Sequence, residues 1–132
     1  MTDWSIAADD WGYFLSRVWG EWLNKDFGQV FIDQFENMIS MMFGYGPQKC
    51  VSGQICGKSL AVEHNGDLFS CDHFVYPEYK LGNIQDVHQG DLVFSEQQKK
   101  FAYSKYKSLP KYCTSCPYLQ YCWGDCPKDR FL

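Results

Sequence analysis

The stretch Ser59-Leu60-Ala61-Val62-Glu63-His64-Asn65-Gly66-Asp67-Leu68-Phe69-Ser70-Cys71 decides how the middle of this chain is built. Two short extended runs flank Asn65-Gly66, a dipeptide that favours a type I′ hairpin turn because both central residues there need positive φ. Centring the turn on that pair sets His64 opposite Asp67 and Leu60 opposite Cys71. The hairpin is therefore expected to return Cys71 to the segment carrying Cys56, which a short loop containing Gly53 joins to Cys50. Three thiols can then converge without further assumption.

Upstream of this hairpin, residues 1–48 contain no cysteine. Trp11, Phe14, Leu15, Val18, Trp19, Trp22 and Leu23 recur at helical spacing, with Asp9 or Asp10 as the expected N-cap. Asn24 to Asp26 breaks the pattern. A second stripe follows through Phe27, Phe31, Phe35, Met38, Ile39, Met42 and Phe43, and Gly44, Gly46 and Pro47 stop it. These stripes are read as the core of a helix pair rather than the lining of a cofactor pocket. Downstream, residues 74–94 are expected to be irregular, and Ser95-Glu96-Gln97-Gln98 is a capping box opening a helix to about Lys107. Leu109-Pro110 ends that helix. His64, His73 and His88 are not spaced as a metal pair and are read as surface or hydrogen-bonding side chains. The expected fold class is α+β: an N-terminal helix pair, a central β-hairpin, a further helix and irregular cysteine-rich segments. Two regions are expected, a helical segment at 1–48 and a cysteine-bearing domain at 49–132.

At 132 residues the chain has the size of one ordinary domain. Its net charge of -4 gives no basic footprint for a phosphate backbone, so nucleic acid is not an expected partner. No apolar run approaches the roughly 18 residues of a membrane span. The start, Met1-Thr2-Asp3-Trp4, lacks a secretory signal, and a cytoplasmic chain is expected. In that compartment thiols stay reduced. The 7 cysteines, an odd number, are therefore expected to hold a metal or cluster rather than to form disulfides.

Four of them fall in Cys113-x2-Cys116-x5-Cys122-x3-Cys126, followed by Pro127. A C-x2-C pair lets two thiolates bite one centre from a single turn, in zinc and iron–sulfur sites alike. Loop-closure entropy alone would gather these four into one local site and leave Cys50, Cys56 and Cys71 a ligand short. Spacing does not exclude that arrangement.

The run Cys56-Gly57-Lys58-Ser59 through Asp67, with Ser70-Cys71-Asp72-His73-Phe74-Val75, Leu81-Gly82-Asn83-Ile84 and Cys126-Pro127-Lys128-Asp129-Arg130-Phe131, resembles the anaerobic sulfatase-maturating enzymes. These are radical S-adenosylmethionine enzymes, and the matching stretch is similar to their C-terminal SPASM domain, which carries two auxiliary four-iron, four-sulfur clusters. The resemblance implies an interleaved ligation. Cys50, Cys56, Cys71 and Cys126 would hold the first cluster, and Cys113, Cys116 and Cys122 the second. The second cluster's fourth cysteine would lie past Leu132, so either a truncated chain or an exogenous ligand is expected. The barrel of the family carries C-x3-C-x2-C and binds S-adenosylmethionine. That spacing does not occur in this sequence, so the chain alone is expected to be inactive. The helical segment would join the barrel to the cluster domain.

By the same resemblance, the parent enzyme takes an unfolded sulfatase peptide and oxidises a cysteine or serine to formylglycine. Asp72 occupies the position of the family's proton acceptor; otherwise it would cap the next turn or hydrogen-bond beside the cluster. Zinc is expected to substitute for iron in an isolated piece, because tetrahedral sulfur sites suit both. Tyr112, Tyr118, Tyr121 and Trp123 suit either peptide contact or packing around the metal site. Two rival readings are the accessory domain of another peptide-modifying radical enzyme and a non-catalytic zinc-binding interaction module.

Overall fold

The computed structural model describes residues 4–130. Phe131, the last residue of the Cys126-Pro127 motif, lies outside them. The chain divides into two compact units, Met1–Ile39 and Ser40–Leu132.

In the first unit, α1 (Ala8–Lys25) begins after an N-cap at Ala7 that offers no side-chain acceptor. Asp9 and Asp10, expected as caps, sit instead in the first turn, where carboxylates favour the positive end of the helix dipole. Trp22 is 2% exposed and gathers Trp19, Phe27 and Phe35 about it at ring-centroid distances of 5.6, 5.2 and 5.4 Å. Its indole N–H donates to Val30 O at 2.7 Å. The second helix, α2 (Asp33–Met42), starts later than the stripe from Phe27 suggests. Gln29 N and Val30 N both donate to Asp26 O, so residues 26–30 are a turn that feeds Phe27 back onto Trp22. Trp11, Phe14 and Phe31 share the helical periodicity but are exposed. The aromatic core is therefore narrower than the stripes alone imply.

The second unit starts at the end of α2. Tyr45 N donates to Ser40 O and Gly44 N to Met41 O, the paired bonds of a Schellman stop. After a short 3₁₀ turn at Cys50–Ser52 comes a three-stranded antiparallel sheet in the order β1 (Ala61–Val62), β2 (Asp67–Phe69), β3 (Lys80–Asn83).

The expected hairpin is present with a corrected register: Ala61 faces Phe69 and Val62 faces Leu68. Only Gly66 takes positive φ (88°), and Asn65 does not. Gly66 N donates to Glu63 O at 2.8 Å and Glu63 N to Asp67 O at 2.9 Å. This is a three-residue loop ending on a left-handed glycine, not a two-residue type I′ turn. The extra residue slides the pairing by one place, so Cys71 falls in line with Ser59 rather than Leu60, and Asp72 N donates to Ser59 O at 3.2 Å.

Strand β3 lies in the region expected to be irregular. Lys80-Leu81-Gly82-Asn83 carries glycine and asparagine, poor strand formers, and its pairing with β2 contains a bulge between Leu68 and Phe69. The strand is held by the free edge of β2 and by side chains around Asp67. Lys80 Nζ, Asn83 Nδ2 and Asn65 Nδ2 approach the Asp67 carboxylate at 2.7, 3.0 and 3.1 Å.

Helix α3 (Gln89–Val93) is capped by His88, whose Nδ1 accepts from Gly90 N. Helix α4 (Glu96–Lys107) opens on Ser95, whose hydroxyl accepts from Gln98 N at 3.2 Å, as the capping box predicts. It packs through Phe101 on the connection between β2 and β3, meeting Phe74 and Tyr79 at 5.3 and 5.6 Å between ring centroids. Leu68, Phe69, Phe74 and Leu92 complete this buried core. Short helices α5 (Lys111–Thr114) and α6 (Leu119–Cys122) and a 3₁₀ turn at Pro127–Arg130 finish the described chain. The α+β architecture expected from the sequence is the one observed.

Two side chains give testable consequences. Lys80, then Asn83 and Asn65, hydrogen-bond the Asp67 carboxyl and hold it below the usual carboxylate range. A depressed folded-state pKa adds stability that is present above the unfolded value, about 3.9, and is lost as pH falls through the folded one. Asp67→Asn should therefore lower the urea midpoint at pH 7, and the difference should close as the pH is taken below 4. Gln98 is buried and its Nε2 donates to Gly57 O at 3.0 Å and Ser70 O at 3.1 Å, whereas its Oε1 has no partner. Gln98→Leu should cost about 1–2 kcal/mol in denaturant titration, the loss of two buried bonds offset by removal of the unpaired oxygen.

Candidate metal centre

The proposed ligands reach their places by different local devices. Cys50 opens the 3₁₀ turn at 50–52. Cys56 is fixed by its own amide, which donates to Ala102 O on α4 at 3.1 Å. The next residue, Gly57, has φ 77°, and a Cβ there would stand 2.5 Å from Gln98 Nε2, so only glycine lets the loop lie against α4. Cys71 follows β2, and Phe74 N closes the turn after it on Cys71 O at 3.0 Å. Cys126 comes after three consecutive left-handed residues, Trp123 (φ 51°), Gly124 (φ 70°) and Asp125 (φ 56°), and its amide donates to Asp125 Oδ1 at 2.8 Å.

Non-glycine residues in that conformation are costly and persist only where their surroundings fix them. Here Arg130 does so. Its guanidinium donates to the carbonyls of Trp123, Gly124 and Asp125 at 2.7, 2.8 and 3.2 Å, and to Lys105 O at 2.8 Å and Ser108 Oγ at 3.3 Å. One side chain thus ties the Cys122–Cys126 turn to the end of α4.

Cys56, Cys71 and Cys126 are buried and Cys50 is half-buried. Cys126 and Cys50 lie within electrostatic reach of Cys56, and Cys56 within reach of Cys71. Burial pushes the Cys56 thiol up, Lys105 opposes the shift, and the other two sulfurs add to it. The Cys71 thiol is pushed up to about 11, chiefly by burial. Its S–H donates to Asp72 Oδ1 at 3.2 Å, which in turn holds the Asp72 carboxyl below its ordinary range. Asp72 is exposed and also accepts from His73 N at 3.1 Å.

The donor set is four thiols from three distant parts of the chain. Among the described residues, no three Cys, His, Asp or Glu side chains stand close enough to share a single metal ion. A tetrahedral zinc site draws its sulfurs to about 3.8 Å from one another, given Zn–S bonds near 2.3 Å. A multi-iron cluster spreads its thiolates more widely, and four free thiols are the donor chemistry such a cluster takes. Binding would deprotonate the sulfurs outright, whatever the metal-free thiol prefers.

Cys113, Cys116 and Cys122 ride on α5, the following turn and α6, linked by Cys116 N to Cys113 O and Leu119 N to Cys116 O. Helix α6 packs beside the 50–52 turn, so a cysteine of one proposed set neighbours the segment carrying a cysteine of the other. All seven cysteines are free thiols. Tyr112 and Tyr118 are exposed, and Tyr121 and Trp123 are half-buried.

Three further residues shape the site, and of these only His73 was expected to, as a hydrogen-bonding side chain. His73 Nδ1 lies 3.3 Å from Cys126 Sγ. Lys105 is fully buried with Nζ on Cys50 O and Val51 O at 2.9 and 2.7 Å. Arg130 is the clasp described above. For Lys105 the only signal is its place in a capped helix, where periodicity ordinarily predicts a solvated face.

A family model for the SPASM iron–sulfur cluster-binding domain matches residues 50–117. The chain belongs to this family of cluster-binding domains. It is 42% identical over 131 residues to the serine-type anaerobic sulfatase-maturating enzyme of Bacteroides thetaiotaomicron, covering 99% of this chain and 32% of that protein. It is 29% identical over 129 residues to a cysteine-type enzyme of Clostridium novyi, covering 96% and 34%. The solved structure of native anSMEcpe with bound AdoMet shares the fold, with a TM-score of 0.80 and 23% identity over 96% of this chain and 35% of that one. The chain thus spans about a third of the length of the relatives it matches.

Replacing Arg130 should loosen the approach to Cys126. Arg130→Met is expected to lose more than about 2 kcal/mol in urea titration, since five acceptors lose a charged donor. Arg130→Lys should recover only part, because an ammonium cannot reproduce the planar fork.

Proposed function

We propose that this chain is the auxiliary-cluster domain of a radical S-adenosylmethionine enzyme that converts a sulfatase serine or cysteine to formylglycine. The observation that supports the reading is that Cys56, Cys71 and Cys126 are buried and that the segments carrying these and Cys50 are all hydrogen-bonded to α4, directly or through one neighbour. Identity of 42% to a serine-type enzyme against 29% to a cysteine-type one favours serine as the oxidised residue. The related anSMEcpe has been solved with a bound Cp18Cys peptide, which supports a peptide partner for the parent of this chain.

Cys50, Cys56, Cys71 and Cys126 would ligate a first four-iron cluster, and Cys113, Cys116 and Cys122 three corners of a second. Such clusters supply a low-potential acceptor for the electron that substrate oxidation releases. The protein's own part is positioning and proton removal. Asp72 accepts the Cys71 S–H while that thiol is protonated. Once sulfur is bound to iron this proton is gone, and the exposed carboxylate, still held by His73 N, is free to accept a proton from the substrate hydroxyl or thiol. Generating the radical belongs to a barrel carrying C-x3-C-x2-C, so this chain alone would not turn over. Seven free thiols suit a reducing compartment, in keeping with a cytoplasmic protein.

Anaerobic iron and sulfide analysis tests the ligand set. Cys71→Ser should lose about four irons relative to the parent sequence, one whole cluster. Retention of all iron, or a colourless zinc protein from anaerobic preparation, would turn the reading toward a structural module. In the complete enzyme Asp72→Ala should keep its iron while formylglycine formation on a sulfatase peptide, followed by mass spectrometry, drops at least about 100-fold, the usual contribution of a general base. Normal turnover would remove Asp72 from the mechanism.

A further inference from the structure

Lys105 is 0% exposed, yet among the described residues it makes no ion pair with a carboxylate. An ammonium has three donors, and two of them are used by Cys50 O and Val51 O. Those carbonyls satisfy hydrogen bonds and leave the charge uncompensated. A buried cation without a counter-anion is costly, and such lysines are rarely found unpaired. Asp125 acts on Lys105 electrostatically, but so does the Arg130 guanidinium with the opposite sign, and Arg130 is itself the nearby competitor for negative charge. The remaining groups in electrostatic reach are sulfurs, Cys56 and Cys50. As neutral thiols they cannot balance Lys105. As ligands of an iron–sulfur cluster they carry the negative charge that its position lacks.

We infer that Lys105 is the built-in counter-cation of the centre held by Cys50, Cys56, Cys71 and Cys126, and that its charge raises the reduction potential of that centre. The inference rests on the ligand set proposed above. Each electron taken up makes the cluster one unit more negative, with no bond formed or broken and no proton moved, so a fixed positive charge beside it favours the reduced state. During turnover the electron comes from the substrate; in a titration it comes from a chemical reductant. Lys105 Nζ bonds only the carbonyls of Cys50 and Val51 among the described residues, and its role is electrostatic positioning.

The test is a potentiometric titration of the anaerobically reconstituted protein, followed by electron paramagnetic resonance. The signal that vanishes in Cys71→Ser identifies the relevant cluster; if none vanishes and all iron is retained, the ligand reading fails, independently of Lys105. Lys105→Met removes charge and donor, Lys105→Gln keeps a donor without the charge, and Lys105→Arg keeps the charge. The midpoint of that one signal should move to more negative potential in the Met and Gln variants alike and stay near the parent value in the Arg variant. A Gln variant that titrates like the parent, or a Met variant with full iron and an unmoved midpoint, overturns the inference. If the uncharged variants take up no iron while Arg does, the charge is needed for loading itself, which supports the assignment. If Arg also fails to load, the site needs the shape of lysine rather than its charge, and the inference falls.

Discussion

The cysteine-bearing unit depends on one helix that points polar side chains into the protein. From α4, Gln98 reaches the carbonyls of Gly57 and Ser70, Lys105 reaches those of Cys50 and Val51, and the Ala102 carbonyl receives the amide of Cys56. The Lys105 carbonyl receives Arg130, which holds the turn before Cys126. Every segment bearing one of the four proposed ligands of the first site is therefore tied, directly or through one neighbour, to the same twelve-residue rod. Loops this poor in regular pairing would otherwise have their backbone groups satisfied only by water.

This arrangement separates two tasks. Aromatic packing of Phe101 on Phe74 and Tyr79 seats α4 on the segment that joins β2 to β3. Hydrogen bonds from its inward face then set where the thiols stand. The first task tolerates exchange among apolar residues, and the second does not, because a buried carbonyl without its donor loses about 1–3 kcal/mol. Electrostatics follow from the same geometry. The sulfurs are buried, which disfavours their charged form, and the buried Lys105 and nearby Arg130 act in the opposite sense on Cys56. A metal-free site holds these tendencies in opposition, and a thiolate-ligated cluster resolves them.

Much was legible from the chain alone where the signal was local. The stripe through Trp19 and Trp22, the Ser95 N-cap and the glycine stop after Met42 each depend on residues within a turn or two of one another, and each is found in place, although Gln98 turns inward to Gly57 and Ser70 instead of closing the capping box. The hairpin was legible, its register was not. Asn65-Gly66 permits both a two-residue turn and a three-residue loop, and the choice fell to the Asp67 carboxylate, gripped by Lys80 and Asn83 from β3. Since β3 was itself hidden behind glycine and asparagine, nothing short-range could report it.

The order of cysteines along the sequence thus determined that thiol chemistry dominates this protein, and the hairpin motif determined which family it resembles. Which sulfurs meet, and what surrounds them, was left to the tertiary structure. Spacing favoured a local site at Cys113 to Cys126, because short loops close with the least entropy. In the folded chain Arg130 ties the turn before Cys126 to the Lys105 carbonyl of α4, and the Ala102 carbonyl of the same helix receives the Cys56 amide, so two segments far apart in sequence share one support. Lys105 makes the same point most sharply: by sequence it is one more lysine on a polar helix, and only three-dimensional burial, with no carboxylate in an ion pair with it among the described residues, turns its charge into a property of the site.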